Sequence, residues 1–148
     1  MRTFVLPMTF LVVAGLAATA DKPYPIYTPD NFANSMKLAG RNFGAVSAAV
    51  KGKDFETAKA QLVRTRELLA VTITYWRDRK KEDAIKILRD TLTKIDALDT
   101  ALSAETVDAA NANAIAGQIG ADCQACHALY REQDPKTKAF HFKAAAVQ

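Results

Sequence analysis

Apolar residues recur at steps of three and four along most of the chain, a spacing typical of a helix face that packs on a core. No proline occurs between Asp30 and Asp134, and this stretch is rich in residues that favour helices. The pattern predicts four amphipathic helices joined by short turns, over residues 30–50, 54–76, 82–102 and 104–131. We therefore expect an all-α protein, an antiparallel four-helix bundle.

The ends of the predicted helices carry local signals. Gly52 is expected to adopt the left-handed conformation that closes the first helix, while Asp54 and Ser103 are expected to cap the second and fourth. Segment 71–76 has strand-like residues, but three helical turns precede it and we predict helix. The inward faces of the first three helices comprise Phe32, Met36, Ala39, Phe43, Val46 and Val50; Phe55, Ala58, Leu62, Leu69, Ile73 and Trp76; and Ile85, Leu88, Leu92, Ile95 and Leu102.

The fourth helix presents a stripe of small residues instead of large apolar ones. Such a stripe cannot fill the interior of a bundle at native density, so we expect a bulky apolar group to complete the core there. The residues of this stripe are Val107, Ala110, Ala114, Gly117 and Ala121.

The first twenty residues have the features of a secretory signal peptide. Arg2 supplies a positive charge, residues 4–18 are uncharged and mostly apolar, and small residues at Ala18 and Ala20 form a cleavage site. An uncleaved membrane anchor is the alternative, but the apolar run is short for a membrane span and Pro7 interrupts it. We expect a single mature domain over residues 21–148, exported to the periplasm, with no membrane span after removal of the signal.

Composition excludes several classes of protein. The 148 residues are 49% hydrophobic and 24% charged, which is ordinary for one globular domain and unlike a disordered chain. Two cysteines are too few for a disulfide-dense scaffold. The net charge of +4 is spread along the chain, so we expect no nucleic-acid partner.

The motif that carries chemistry lies near the end of the fourth helix, where Cys123 and Cys126 are followed directly by His127. This C-x-x-C-H spacing is the attachment sequence of a c-type haem. On a helix the three side chains project from one face, so both thiols can form thioethers with haem vinyl groups while the imidazole binds the iron. A redox dithiol, a zinc site and a structural disulfide are the weaker alternatives, because each lacks a context or spacing that it needs.

The late position of this motif resembles the class II cytochromes c, the cytochrome c′ superfamily, and segment 35–46 of the first helix is similar to that family's distal helix. The resemblance covers residues 30–131. It implies a haem lodged inside a four-helix bundle, electron-transfer or gas-binding roles, export, and a possible homodimer.

The family divides by the sixth iron position, where the cytochrome c-556 branch has methionine and the high-spin branch has an apolar residue. Met36 matches this methionine, and it is the only methionine left after signal removal. A flexible core filler is the alternative use of Met36. An iron bound by both His127 and Met36 favours electron transfer. We therefore expect a periplasmic electron carrier with one covalently attached haem c, which exchanges electrons with redox partner proteins. The alternative function is a cytochrome c′ that binds small gases such as NO or CO.

Secondary candidates surround this site. Tyr130 is expected to pack near the haem, and Arg131 is a candidate partner for a haem propionate. The extension 132–148 is expected to fold back over the haem edge, dock a partner or remain a tail, and His141 within it is a minor candidate for the sixth ligand. No acid–base constellation is evident, so we expect a protein that is not an enzyme; a small haem peroxidase is the weakest alternative.

Overall fold

The computed structural model describes residues 27–148, which are predominantly helical with one small sheet. The signal peptide predicted for residues 1–20 lies outside these residues. In the described part of the chain, no helix is both long and apolar enough to cross a membrane.

The first helix, α1, runs over Pro29–Gly52, and each of its ends has an identifiable cap. The Thr28 side chain accepts a hydrogen bond from the backbone N–H of Asn31 at the start. At the other end the predicted left-handed glycine is wrong: Gly52 is helical, and Lys53 takes the left-handed conformation with φ of 62°. The backbone N–H groups of Lys53 and Asp54 donate hydrogen bonds to the carbonyls of Val50 and Ala49 in the last turn of α1. These bonds cap the helix at Lys53, one residue later than predicted.

The predicted second helix is interrupted at Thr72, which separates α2 (Phe55–Val71) from α3 (Ile73–Asp78). The Thr72 hydroxyl and backbone N–H both donate to the Leu69 carbonyl, at 2.6 and 3.0 Å, which tightens the chain to an i→i+3 turn. Segment 71–76 is otherwise helical, as predicted. Asp54 caps α2 as predicted, accepting a hydrogen bond from the N–H of Thr57.

The third predicted helix is confirmed as α4 (Glu82–Leu102), but the start of the next helix is not. Helix α5 runs over Ala109–Tyr130, and its cap is Asp108, whose carboxylate accepts from the N–H groups of Ala110 and Asn111. Ser103 instead follows α4 as its C-cap. Ser103 has Thr106 three residues on, where a capping box would have Glu or Gln, whereas the Asp108 carboxylate accepts from two N–H groups at once.

Four of the five residues of the small-residue stripe predicted for the interior are exposed instead, while Val107 packs against the core. The buried residues of α5 are Ala112, Ala116, Ile119 and Tyr130, and Ile115 packs against them. The expectation of an interior lined only by small residues is therefore wrong, because two isoleucines fill the inner face of α5. The residues of the predicted stripe that are exposed are Ala110, Ala114, Gly117 and Ala121.

The extension after α5 folds back onto the helices. Strand β1 (Arg131–Gln133) pairs antiparallel with β2 (Phe140–Phe142), and the short helix α6 (Ala144–Val147) follows. This two-stranded sheet was not predicted. Folding back was one of the predicted outcomes for the extension.

The long helices pack in a closed cycle of pairs, in which α1 contacts α2 and α5, and α4 contacts the same two helices. Helices α1 and α5 run antiparallel. Phe32, at the start of α1, packs on Trp76, which packs on Tyr130 at the end of α5, with ring centroids 5.0 and 4.6 Å apart. Phe43, in the middle of α1, faces Gly120 in the middle of α5.

Candidate functional site

The two cysteines of the motif lie on the last three turns of α5 and pack against the core cluster. Both are free thiols and both are half-buried. Burial raises the pKa of Cys126 to about 11, with smaller contributions from Cys123 and Asp83. Burial and the neighbouring Asp122 carboxylate raise the pKa of Cys123 as well. The thiols are therefore protonated at neutral pH and point to an apolar environment, which suits addition to an apolar vinyl group better than metal binding as thiolates.

His127 is half-buried beside the two thiols and stands at the edge of the core face. Burial, followed by the positive charge of Arg131, lowers the pKa of its imidazole, which keeps the ring neutral. A neutral imidazole has a free lone pair for a metal. The ring also lines an open cleft of about 360 Å³, with Gln124, Ala128, Arg131, Glu132, Gln133 and Phe140 as its other walls.

Helix geometry places Met36 at about the same level of the structure as His127. The ring of Phe43 on α1 lies 3.9 Å from the position that a Cβ would take at Gly120 on α5. Because the two helices are antiparallel, seven residues back along α1 and seven residues forward along α5 lead about 10 Å in the same direction. These steps end at Met36 and His127. Met36 is half-buried against the same core as the two cysteines.

The glycines that follow Met36 on α1 leave open space. A Cβ added at Gly40 or at Gly44 would meet no heavy atom within 4 Å outside its own helix turn. Close helix packing is therefore not the reason for either glycine. The surface of α1 next to Met36 is open at both positions.

Tyr130 lies at the end of α5, next to the packed rings of Trp76 and Phe32. Its ring is buried and packs on Trp76, which is a core residue as predicted. Its hydroxyl donates a hydrogen bond to Asp83 on α4 over 2.5 Å. Burial, followed by this hydrogen bond, raises the pKa of Tyr130. The sequence did not indicate the role of Asp83, whose only visible signal was a carboxylate in the first turn of a helix.

Arg131 points to the strand that follows, not into the interior. Its guanidinium lies over the ring of Phe140, 3.4 Å from the centroid. Burial lowers its pKa. His141, the minor candidate for the sixth ligand, is exposed on β2 opposite Glu132.

A second contact without a signal in the sequence joins α5 to α4. Lys94 Nζ lies 2.5 Å from Asp122 Oδ2, directly before the first cysteine, and both side chains are largely covered. Nothing in the sequence pairs residues 28 positions apart on two different helices.

The donor set fits a covalently attached haem. Cys123, Cys126 and His127 share one side of α5, the thiols are unpaired and the imidazole is neutral. Across from them Met36 provides a thioether at the same level. Within residues 27–148, the structure brings together no three His, Cys, Asp or Glu side chains that could hold a bare metal ion.

Comparisons of the chain with protein-family models, with curated proteins and with solved structures find no match.

Proposed function

We propose that this protein is a monohaem c-type cytochrome that carries electrons in the periplasm, with its iron bound by His127 and Met36. The observation that carries the proposal is the arrangement of the C-x-x-C-H motif on α5. Its two free thiols pack against the core, its imidazole is neutral, and Met36 lies at the same level of the antiparallel helix α1.

A four-helix bundle of the class II cytochrome c type is part of the proposal. The closed cycle of contacts among α1, α2, α4 and α5 supports it, as does the antiparallel course of α1 and α5. Short connections between consecutive helices favour this topology. The resemblance of the motif's position to that family agrees with the same architecture.

The chain's own residues would hold the cofactor rigidly. Cys123 and Cys126 would anchor it through thioethers, and His127 on α5 and Met36 on α1 would bind its iron. When bound, the haem supplies an iron that can gain or lose one electron. Because packed helices carry both His127 and Met36, these side chains would keep their positions when the charge of the iron changes, which favours electron transfer over substrate turnover.

Export and a partner complete the proposed role. The apolar segment at 4–18 and the small residues before Asp21 support cleavage after Ala20 and delivery to the periplasm. Lys37 and Arg41 are exposed on α1, the helix that carries Met36, and they favour an acidic surface on a redox partner.

The test is expression with the native signal in a bacterial host that has a c-type cytochrome maturation system. We expect a red periplasmic protein that begins at Asp21, whose mass includes one haem and whose spectrum is six-coordinate and low-spin. Cys123→Ala/Cys126→Ala should be exported without covalent haem. A colourless wild-type protein without a haem adduct would refute the proposal, and a high-spin spectrum that changes with carbon monoxide would replace the electron carrier by a gas-binding protein.

A further inference from the structure

The segment that follows α5, residues 131–148, is attached to the helices as a strap. The ring of Phe142 packs near Phe32 and Tyr75, at centroid distances of 5.7 and 6.4 Å. The Tyr75 hydroxyl donates a 2.7 Å hydrogen bond to the carbonyl of Ala146, and both residues are fully buried. A buried polar pair of this kind fixes the end of the strap in one position.

The strap also completes the end of α5. A helix leaves its last carbonyls without partners, and here Lys143 provides two of the missing donors. Its Nζ donates to the carbonyl of Ala128 over 2.7 Å, and its backbone N–H donates to the carbonyl of Tyr130 over 3.0 Å. Ala128 is the residue directly after His127, so the strap holds the turn that carries the imidazole.

A side chain of the strap forms one wall of the cleft that contains His127. Phe140 lines this cleft, and the guanidinium of Arg131 lies over its ring. The residue is 55% exposed, which is unusual for a phenylalanine in a small domain. Phe140 is not part of the core cluster; it contacts Arg131 and lines the cleft.

We infer that Phe140 and Lys143 are positioning residues for His127: Lys143 fixes the end of the helix turn, and Phe140 limits the access of water to the imidazole. This role rests on the proposed function, in which His127 binds iron. An apolar wall beside a metal ligand lowers the local dielectric and so raises the reduction potential, because the more highly charged oxidised state loses solvation. The strap would thus tune the site without contacting the iron.

The test has two readouts on the full mature chain. In protein prepared without haem, diethyl pyrocarbonate modifies accessible imidazoles, and peptide mapping separates His127 from the exposed His141, which serves as an internal reference. We expect Phe140→Ala to raise the modification rate of His127 several-fold and to leave that of His141 unchanged. Phe140→Leu should restore most of the protection.

In the haem-loaded protein, Phe140→Ala should lower the reduction potential, with Phe140→Leu between Phe140→Ala and the wild type. Val147→Ala is the matched control, since Val147 is an exposed apolar residue of the strap that does not line the cleft. Lys143→Met should also raise the modification rate of His127, whereas Lys136→Met in the exposed turn should not.

The outcomes separate this inference from the proposed function. If no haem attaches, the electron-carrier proposal fails, while the modification of His127 still reports on the strap. If Phe140→Ala leaves the His127 modification rate at the wild-type value, or raises the rates of both histidines equally, the positioning role is refuted even when the protein is a functional cytochrome.

Discussion

The hydroxyl of Tyr130 donates a hydrogen bond to the carboxylate of Asp83, which ties the end of α5 to the first turn of α4. The same tyrosine ring packs on Trp76, so its position is fixed from two sides. Tyr130 is the third residue after His127, nearly one helical turn further along α5. The orientation of the proposed iron ligand therefore depends on contacts made by three different helices.

Tyr130→Phe tests this hydrogen bond. The substitution keeps the ring on Trp76 and removes only the hydroxyl, so we expect a loss of about 1 kcal/mol in the free energy of unfolding. Chemical denaturation of the two proteins at neutral pH measures the loss. A variant as stable as the wild type would show that the hydroxyl exchanges this bond for water without cost.

The same bond makes stability depend on pH in a specific direction. The hydrogen bond from Tyr130 is the main cause that lowers the pKa of Asp83 from its ordinary 3.8. A carboxylate with a lowered pKa in the folded state stabilises the protein above its unfolded pKa, and this stabilisation is lost as the pH falls through the folded value. The stability difference between wild type and Tyr130→Phe should thus be constant near neutrality and narrow below about pH 4. A difference that persists unchanged in acid would contradict the assignment to Asp83.

The long helices could be predicted because their signals are local. The apolar steps of α1 from Phe32 to Val50 and the full extent of α4 follow from side-chain spacing, and Asp54 has the side chain of an N-cap. The break at Thr72 could not be predicted in the same way. It depends on which carbonyl the buried threonine hydroxyl bonds, and the sequence does not show that Thr72 bonds Leu69, three residues back, instead of Leu68, four residues back.

The corrected start of α5 gives a second prediction. Asp108→Ala should lower the free energy of unfolding by about 1 kcal/mol, because the Asp108 carboxylate accepts hydrogen bonds from two N–H groups of the first turn. Ser103→Ala is the matched control and should have almost no effect, since the Ser103 side chain is exposed and follows α4. The reverse order of the two losses would support a helix that starts at residue 104.

The inner face of α5 gives a third prediction. Ile119 is fully buried, so Ile119→Ala should cost about 3 kcal/mol through lost burial and a residual cavity. Val63→Ala removes apolar volume from an exposed position of α2, where the side chain is 50% exposed, and should change stability by less than about 0.5 kcal/mol. Equal losses of stability in the two variants would show that Ile119 does not face the core and that α5 is rotated about its axis.

The outer face of α5 gives the complementary prediction. Gly117 is helical, has no positive φ, and a Cβ there would meet nothing within 4 Å. Gly117→Ala should therefore stabilise the protein by about 0.5–1 kcal/mol, because alanine loses less backbone entropy than glycine when the helix forms. Thermal unfolding measures the change. A destabilised variant would place Gly117 at an interface, as the small-residue stripe first predicted.

The face of α5 was misread for an identifiable reason. Alanine and glycine at helical spacing fit an inner stripe and an outer surface equally well, and α5 has few large apolar residues besides Ile115 and Ile119 to distinguish its two faces. The candidate site was easier to predict, because the spacing of Cys123, Cys126 and His127 depends on local helix geometry alone. The partners of that site, Asp83 and the strap with Phe140, come from distant parts of the chain and have no local signal.

Met36→Leu tests the proposed sixth ligand. Leucine has nearly the volume of methionine and packs against the same core, so the fold should persist with a stability loss below about 1.5 kcal/mol. Only the sulfur is removed, and the low-spin spectrum of the oxidised protein should become high-spin, with loss of the weak far-red sulfur-to-iron band. The reduced protein should then bind carbon monoxide more readily. Met36→His should remain low-spin with a lower reduction potential, because methionine raises the potential relative to a second nitrogen ligand.

Phe43→Leu is the matched control for Met36→Leu. Phe43 is half-buried on the same face of α1, nearly two turns away, and packs against the same core without a sulfur atom. Its replacement should leave the spectrum low-spin. If Met36→Leu also leaves the spectrum unchanged, Met36 is a core residue and another side chain binds the iron. Because His141 is exposed on the strap, His141→Ala in the Met36→Leu background would then distinguish a ligand from the strap from one elsewhere in the chain.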